Sequence, residues 1–360
     1  MRRGLMRWDA DELPKSTLEA RIARLQAAMT GAGLDGFVIY TNLVQPSAVT
    51  FLTGFTPYWS DGLLLVARSG APMFATALSK RVAGWIASTN PVSEIVNTPR
   101  PGTAVGLRLA ADGCRRVGVL ELDRLPGGLY DEIMGAAPAL ELIDASTVFA
   151  QVRRPIDAAE RALIARADAI ARAALGVIDA ASAADAGTVA GVVEKHARLA
   201  GAEEAYIAVA ADLDRDRRML RVSGPLQLGA SFALRASVAY KGSWVRRIRT
   251  YARDAFGQQT IARADGWFGS VLASLAGSRP LGDELAARIG ELPGAKLVSF
   301  TAESTIGSYP LEVIASSSKS SIAVPRKDPL AGAFLVLTVE LRLDRMRWLG
   351  AAPVFVPSTP

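Results

Sequence analysis

Residues 17–33, TLEARIARLQAAMTGAG, set Leu18, Ile22, Leu25 and Met29 at helical spacing and stop at Gly33, a residue suited to a helix C-terminus. The chain then runs into GFVIY, a short apolar stretch with the pattern of a buried strand. A helix that delivers a buried strand so soon needs a layered sheet to receive both. LLLVA at 63–67, VGVLEL at 117–122 and LELI at 140–143 supply further strands, so the first 150 residues predict an α/β domain.

A boundary is expected around 144–157. There Arg153, Arg154 and Pro155 precede Asp157, with Glu160 three residues on in the manner of a capping box. The pattern beyond it predicts helices over 160–181 and 187–200 and strands over 205–211, 232–240 and 244–251. Helices over 266–276 and 280–291 and strands over 333–343 and 353–357 follow. Helices followed by non-local strands indicate an α+β second domain over 151–360.

Half of the 360 residues are hydrophobic, enough for a sizeable core. The single cysteine, Cys114, excludes a disulfide framework and a multi-cysteine zinc site. The single histidine, His196, excludes HExxH zinc sites and two-histidine iron sites. It lies among charges in Glu194-Lys195-His196-Ala197-Arg198, the setting of a solvated helix position. The net charge of +6 comes mostly from arginines scattered among acids, without the concentrated stripe of a nucleic-acid binder. The first eight residues lack the apolar core of a signal peptide, and no apolar run reaches the length of a spanning helix. A soluble, cytoplasmic protein with no nucleic-acid or membrane partner is the expectation. No nucleophile elbow, Walker loop or dinucleotide-binding glycine fingerprint is present.

Several stretches together resemble the creatinase/aminopeptidase P/prolidase family. They are Arg21 to Met29, Gly33-Leu34-Asp35-Gly36, Phe51-Leu52-Thr53-Gly54-Phe55, and the junction Val152 to Asp157 leading to Glu160 and Ala167. Arg235-Ala236-Ser237-Val238-Ala239-Tyr240-Lys241-Gly242 running on to Arg249-Thr250 stands in the frame that active members write D-x-G-x-x-Y-x-G-Y-x-x-D-x-T-R-T. Leu330-Ala331-Gly332 to Thr338-Val339-Glu340 is similar to the family's L-x-x-G-M-V-x-T-x-E. The resemblance implies a creatinase-type N-terminal domain over 1–150, a pita-bread domain over 151–360 and a homodimer.

Active members hold two divalent ions with two Asp, one His and two Glu. By the resemblance those positions fall on Arg235, Arg246, Ser304, Glu340 and a residue near Ala351. Two guanidiniums in place of two carboxylates reverse the charge a dication needs, so the expectation is a degenerate site with no metal and no cofactor. The family's pocket histidines fall on Met219 and Leu311, the latter leaving Glu312.

What remains supports two readings. In one, Arg235 and Arg246 bind a small anionic substrate bidentately, helped by Ser304 and Glu312, while Glu340 and Tyr240 do acid–base work on a C–N bond. In the other, the arginines and Glu340 are a buried salt bridge replacing the metal's charge, and the chain is an inert subunit or binding module pairing with an active homologue. Alternation in WVRRIRT puts Arg246 with Ile248 on one face of a strand and Arg247 with Arg249 on the other. Asp212-Leu213-Asp214-Arg215-Asp216-Arg217-Arg218 lacks the glycine and terminal glutamate of a calcium loop and reads as a solvated loop. Tyr58, Trp59 and Asp61 are loop residues that, in related dimers, lie toward the neighbouring subunit. ASSSKSS at 315–321 reads as a polar loop.

Overall fold

The computed structural model describes residues 8–57, 60–275, 279–317 and 332–357. Tyr58, Trp59, Ser318 to Ser321, Leu330 and Ala331 lie outside them. The chain forms two compact units. One takes in residues up to Ala162 together with Thr305–Glu312; the other takes in Leu163–Ser304 and the chain from Val313 onward.

In the N-terminal unit, α1 (Lys15–Gly31) leads to β1 (Gly36–Thr41), α2 (Ser47–Thr53), β2 (Gly62–Ala67), β3 (Met73–Thr76), α3 (Ala83–Thr89) and β4 (Glu94–Asn97). Then come α4 (Pro101–Ala111), β5 (Arg116–Val119), α5 (Gly127–Ala136), β6 (Glu141–Asp144) and α6 (Ser146–Arg153). The six strands form one mixed sheet in the order β4-β3-β2-β1-β5-β6. β1 is buried along its length because helices cover both faces: Phe37 and Ile39 join Leu18, Leu25 and Met29, while Val38 joins Val105 and Leu109. The strand expected over 117–122 stops at Val119. Glu121 takes a left-handed φ of 52° and a short 3-10 turn follows, which turns the chain out of the sheet.

Phe51 anchors the end of this unit. The guanidiniums of Arg21 and Arg153 lie 4.5 and 4.2 Å from its ring centroid. Arg21 donates to Asp157 at 2.6 and 2.9 Å, and Arg153 pairs with Glu160 at 2.6 Å. The Asp157 carboxylate also accepts from the Glu160 amide at 2.9 Å, the cap that the sequence pattern anticipates. The Glu160 carboxylate is instead paired with Arg153.

Helix α7 (Ala158–Gly176) carries the chain into the second unit, which continues with α8 (Ala186–Leu199), β7 (Glu204–Ala210), β8 (Ser231–Tyr240) and β9 (Ser243–Ala252). Next are α9 (Ala255–Ser274), α10 (Leu281–Arg288), β10 (Ala295–Ser304), β11 (Glu312–Ser316), β12 (Phe334–Leu343) and β13 (Met346–Phe355). α9 begins eleven residues before the expected start because Asp254 caps it, accepting from the Gly257 amide at 2.7 Å. β10 and β11 are absent from the sequence expectation. The seven strands run β11-β10-β12-β13-β9-β8-β7. α9 and α10 pack on one face through Trp267, Phe268, Val271 and Leu285 against Leu335, Leu337, Val339 and Trp348. The opposite, inner face carries the candidate site.

Candidate functional site

Strand register assigns the inner face residue by residue, because directly paired residues point the same way. One cross-strand row holds Thr301, Thr338, Ala351, Ile248 and Arg235. A second holds Ser299, Glu340 and Leu349, and Leu349 meets Thr250, whose hydroxyl bonds the Leu349 backbone at 2.8 and 2.9 Å. On the other side, Arg246 pairs with Ser237 and Glu303 pairs with Val336. Arg235, Arg246, Glu340 and Ala351 therefore share one face. Arg247 lies on the other, where it holds Asp168 of α7.

Arg246 donates to Glu303, and its Nε lies 3.3 Å from the Ser237 hydroxyl. β9 and β10 are separated by β13 and β12, roughly 14 Å in a flat sheet. The two long side chains thus meet over the inner face across β13 and β12. Glu340 is held from two sides. Its Oε2 accepts from Arg217 and, at 2.9 Å, from the Ser299 hydroxyl. Arg347 Nε lies 3.4 Å from Oε1, which is buried and accepts no hydrogen bond.

Arg235 differs from all of these. No hydrogen bond or ion pair reaches its guanidinium among the described residues, and its Nε is buried without a partner. Burial, and then the Arg246 cation, press its pKa below the ordinary arginine value, with Glu303 opposing them. The group stays protonated, since guanidinium does not titrate in proteins. It is a half-buried cation without an ion pair of its own among the described residues, since Glu303 is paired with Arg246.

The loop from Ala211 to Leu220 lies over part of this face. Leu213 is buried with Ala210, Ala233 and Leu349, and Met219 and Ile248 pack at the edge of that cluster. The loop's acids are spent internally: Asp212 accepts from the Asp214 amide and pairs with Arg215 at 3.4 Å, and Asp216 chelates Arg218 at 2.8 and 3.0 Å. Asp212 and Asp216 are thus tied up within the loop, but the loop is not wholly solvated, since Leu213 is buried and Arg217 reaches Glu340.

Three expected site residues are placed elsewhere. Tyr240 stands on the helix face of β8 by alternation from Arg235, with Arg166 5.9 Å from its ring centroid. The Ser304 hydroxyl is buried and donates to the Phe334 carbonyl at 2.7 Å, which turns it away from the arginines. Glu312 closes the Thr305–Glu312 segment of the N-terminal unit. There a Cβ on Gly307 would collide with the carboxylate oxygens of both Glu312 and Glu121, so only glycine permits the approach. Ser308 donates to Glu121 at 2.5 Å. Burial, and then the Glu121 charge, push the Glu312 pKa up to about 7, with the Gly307 amide and Arg124 opposing. Asp61 is described, and its carbonyl accepts from the Thr76 hydroxyl. His196 lies in the last turn of α8, and Cys114 is a buried thiol beside the Asp35 carbonyl.

Glu303, Arg347 and Ser299, which the sequence reading does not single out, complete the site together with Arg217, which it reads as part of a solvated loop. Glu303 and Ser299 alternate along AKLVSFTAES and would have been found had that segment been read as a strand. Arg217 sits in a loop, where no periodicity marks it.

Residues 21–154 match the Creatinase/Prolidase N-terminal domain. The N-terminal unit is a creatinase/prolidase N-terminal domain. Among curated proteins no sequence matches the chain. Among solved structures, an Xaa-Pro dipeptidase from Bacillus anthracis superposes with a TM-score of 0.65 at 17% identity, covering 95% of each chain. An X-Pro aminopeptidase from Thermotoga maritima gives 0.68 at 14% identity, covering 92% of this chain and 95% of that one. The N-terminal domain of the FACT complex subunit SPT16 from Cicer arietinum (chickpea) gives 0.64 at 13% identity, covering 95% and 94%. The fold is thus a creatinase-type domain followed by a pita-bread domain.

The dication pair that the family resemblance implies does not fit these residues. Of the five corresponding positions only Glu340 carries a carboxylate, and it is already ion-paired with Arg217 and Arg347. The nearest further acid on the face, Glu303, is taken by Arg246. No group of three or more His, Cys, Asp or Glu among the described residues is placed to hold a metal ion. No described helix is long and apolar enough to cross a membrane.

Proposed function

We propose that the inner face is a metal-independent site for a small carboxylate-bearing molecule, in which Arg235 anchors the carboxylate and Arg246 flanks it. The observation that carries this is the half-buried Arg235 guanidinium, which has no hydrogen bond or ion pair of its own among the described residues, the nearby Glu303 being taken by Arg246. A buried cation of this kind is costly unless an anion completes it, and a carboxylate matches its paired donors.

Glu340 is the acid–base group of the proposed reaction, hydrolysis or elimination at a C–N bond. Relatives of the fold named for Xaa-Pro substrates support that bond. Arg217 and Ser299 hold Oε2, and Oε1, which accepts no hydrogen bond and has Arg347 3.4 Å away, is the oxygen assigned to take the proton. In hydrolysis that proton comes from water, whose oxygen adds to the carbonyl carbon, and it passes to the departing nitrogen as the C–N bond breaks.

A second reading is an inert binding module or silent subunit. The capture of Glu303 and Glu340 by arginines favours it, as does the likeness to a domain of a FACT complex subunit.

Isothermal titration with N-acetylglycine, followed by NMR time courses of the same mixture, separates the readings. Binding that Arg235→Ala abolishes, with turnover that Glu340→Gln abolishes, supports the enzyme. Binding without turnover supports the module. Undiminished affinity in Arg235→Ala overturns the anchor. EDTA and millimolar Mn2+ should leave both the melting temperature and any turnover unchanged. Native mass spectrometry reads the proposed homodimer against a heteromer with an active homologue.

A further inference from the structure

Granted the carboxylate reading of Arg235, we infer that its ligand is a monocarboxylate with a compact, branched apolar body lying over Ile248 and Met219. The charge argument comes first. Arg246 is committed to Glu303, and Arg217 to Glu340, so among the described residues one uncommitted guanidinium stands in this part of the face. One cation matches one carboxylate, and a second anionic group would meet Glu303 on one side or Glu340 on the other.

The surface beside Arg235 then sets the rest of the molecule. Its directly opposed neighbour on the same face is Ile248, followed by Ala351. The adjoining cluster of Ala210, Leu213, Ala233 and Leu349 is fully buried, whereas Ile248 and Met219 at its edge are only partly so. Those two are the apolar groups that a bound molecule can still cover, and covering them is favourable. Length is bounded as well. From Ile248 across Ala351 to Thr338 is two strand spacings, about 10 Å, where the floor turns polar again at Thr338 and Thr301. A body of four to six carbons, roughly, fills that span.

Calorimetric titration of the full chain with acetate, isovalerate, succinate and inorganic phosphate tests this. Isovalerate should bind about tenfold more tightly than acetate, since each buried methylene is worth several-fold in affinity. Succinate and phosphate should bind no more tightly than acetate. Ile248→Ser should bring the isovalerate-to-acetate ratio below about threefold. That ratio is read within each protein, so a less stable variant still reports. Equal affinities for acetate and isovalerate, or succinate or phosphate as the tightest ligand, overturn the inference and leave the Arg235 anchor standing. Absence of binding by every anion, or wild-type binding by Arg235→Ala, overturns the carboxylate reading itself.

Discussion

Arg246 on β9 reaches Glu303 on β10 across two intervening strands, so a single ion pair spans the middle of the sheet. The pair also neutralises the arginine next to Arg235. Glu303→Gln should therefore destabilise the protein by about 2 kcal/mol, less than a fully buried pair because the Arg246 side chain is 24% exposed. Two adjacent guanidiniums would then share the site, and added acetate should restore more stability to the variant than to the wild type. Urea titrations with and without acetate check both expectations.

The Glu340 cluster is asymmetric. Arg217 is 53% exposed, while Glu340 is 3% exposed and keeps Arg347 and Ser299 when Arg217 is lost. Arg217→Ala should cost under about 1 kcal/mol. Glu340→Ala leaves Arg347 and the Ser299 hydroxyl unpartnered beside a cavity and should cost about 2–3 kcal/mol. Comparison of the two denaturation midpoints is the check.

Glu312 supplies a pH dependence. Its folded pKa of about 7 lies above its ordinary value of 4.5, so the fold favours the neutral carboxyl. That contribution is complete below pH 4.5 and is lost as pH rises through 7, with Glu121 the neighbouring charge that enforces it and Arg124 the one that opposes it. Glu312→Gln should match the wild type near pH 4.5 and melt at a higher temperature at pH 8. Thermal melts of both proteins across this range decide it.

Glu160→Gln removes the carboxylate from Arg153, whose side chain is 7% exposed, and should cost about 3 kcal/mol or more. Phe51→Leu keeps an apolar side chain but loses the ring beneath both Arg21 and Arg153, for a loss of about 1–2 kcal/mol. Differential scanning calorimetry should show the first variant melting well below the second.

The parts of the fold legible in the sequence are those whose signal is local. Leu18, Ile22, Leu25 and Met29 mark α1, and two-residue alternation alone puts Arg246 and Ile248 on one face and Arg247 on the other. Arg235 and Glu340 belong to strands of the same regular kind, and register then joins them. β10 escaped because its register slips between Leu297 and Ser299 and its inner positions are Ser, Thr and Glu, which blurs the alternation. Glu303 was hidden with it. Tyr240 and Ser304 were placed by motif frame, and frame does not determine which way a side chain at a strand end turns. Arg217 owes its position to a loop fold held by Asp212 and Asp216, a set of local bonds with no period to read.

Thr305–Glu312 belongs to the N-terminal unit although it follows that unit's last helix by about 150 residues of chain. Through it the Ser47 amide finds the Ser308 carbonyl at 3.0 Å, and Glu121 finds the Ser308 hydroxyl. During synthesis, then, the first unit emerges from the ribosome unfinished. It waits for residue 312 before its last hydrogen bonds can form, and a fragment cut after α7 begins would lack them permanently.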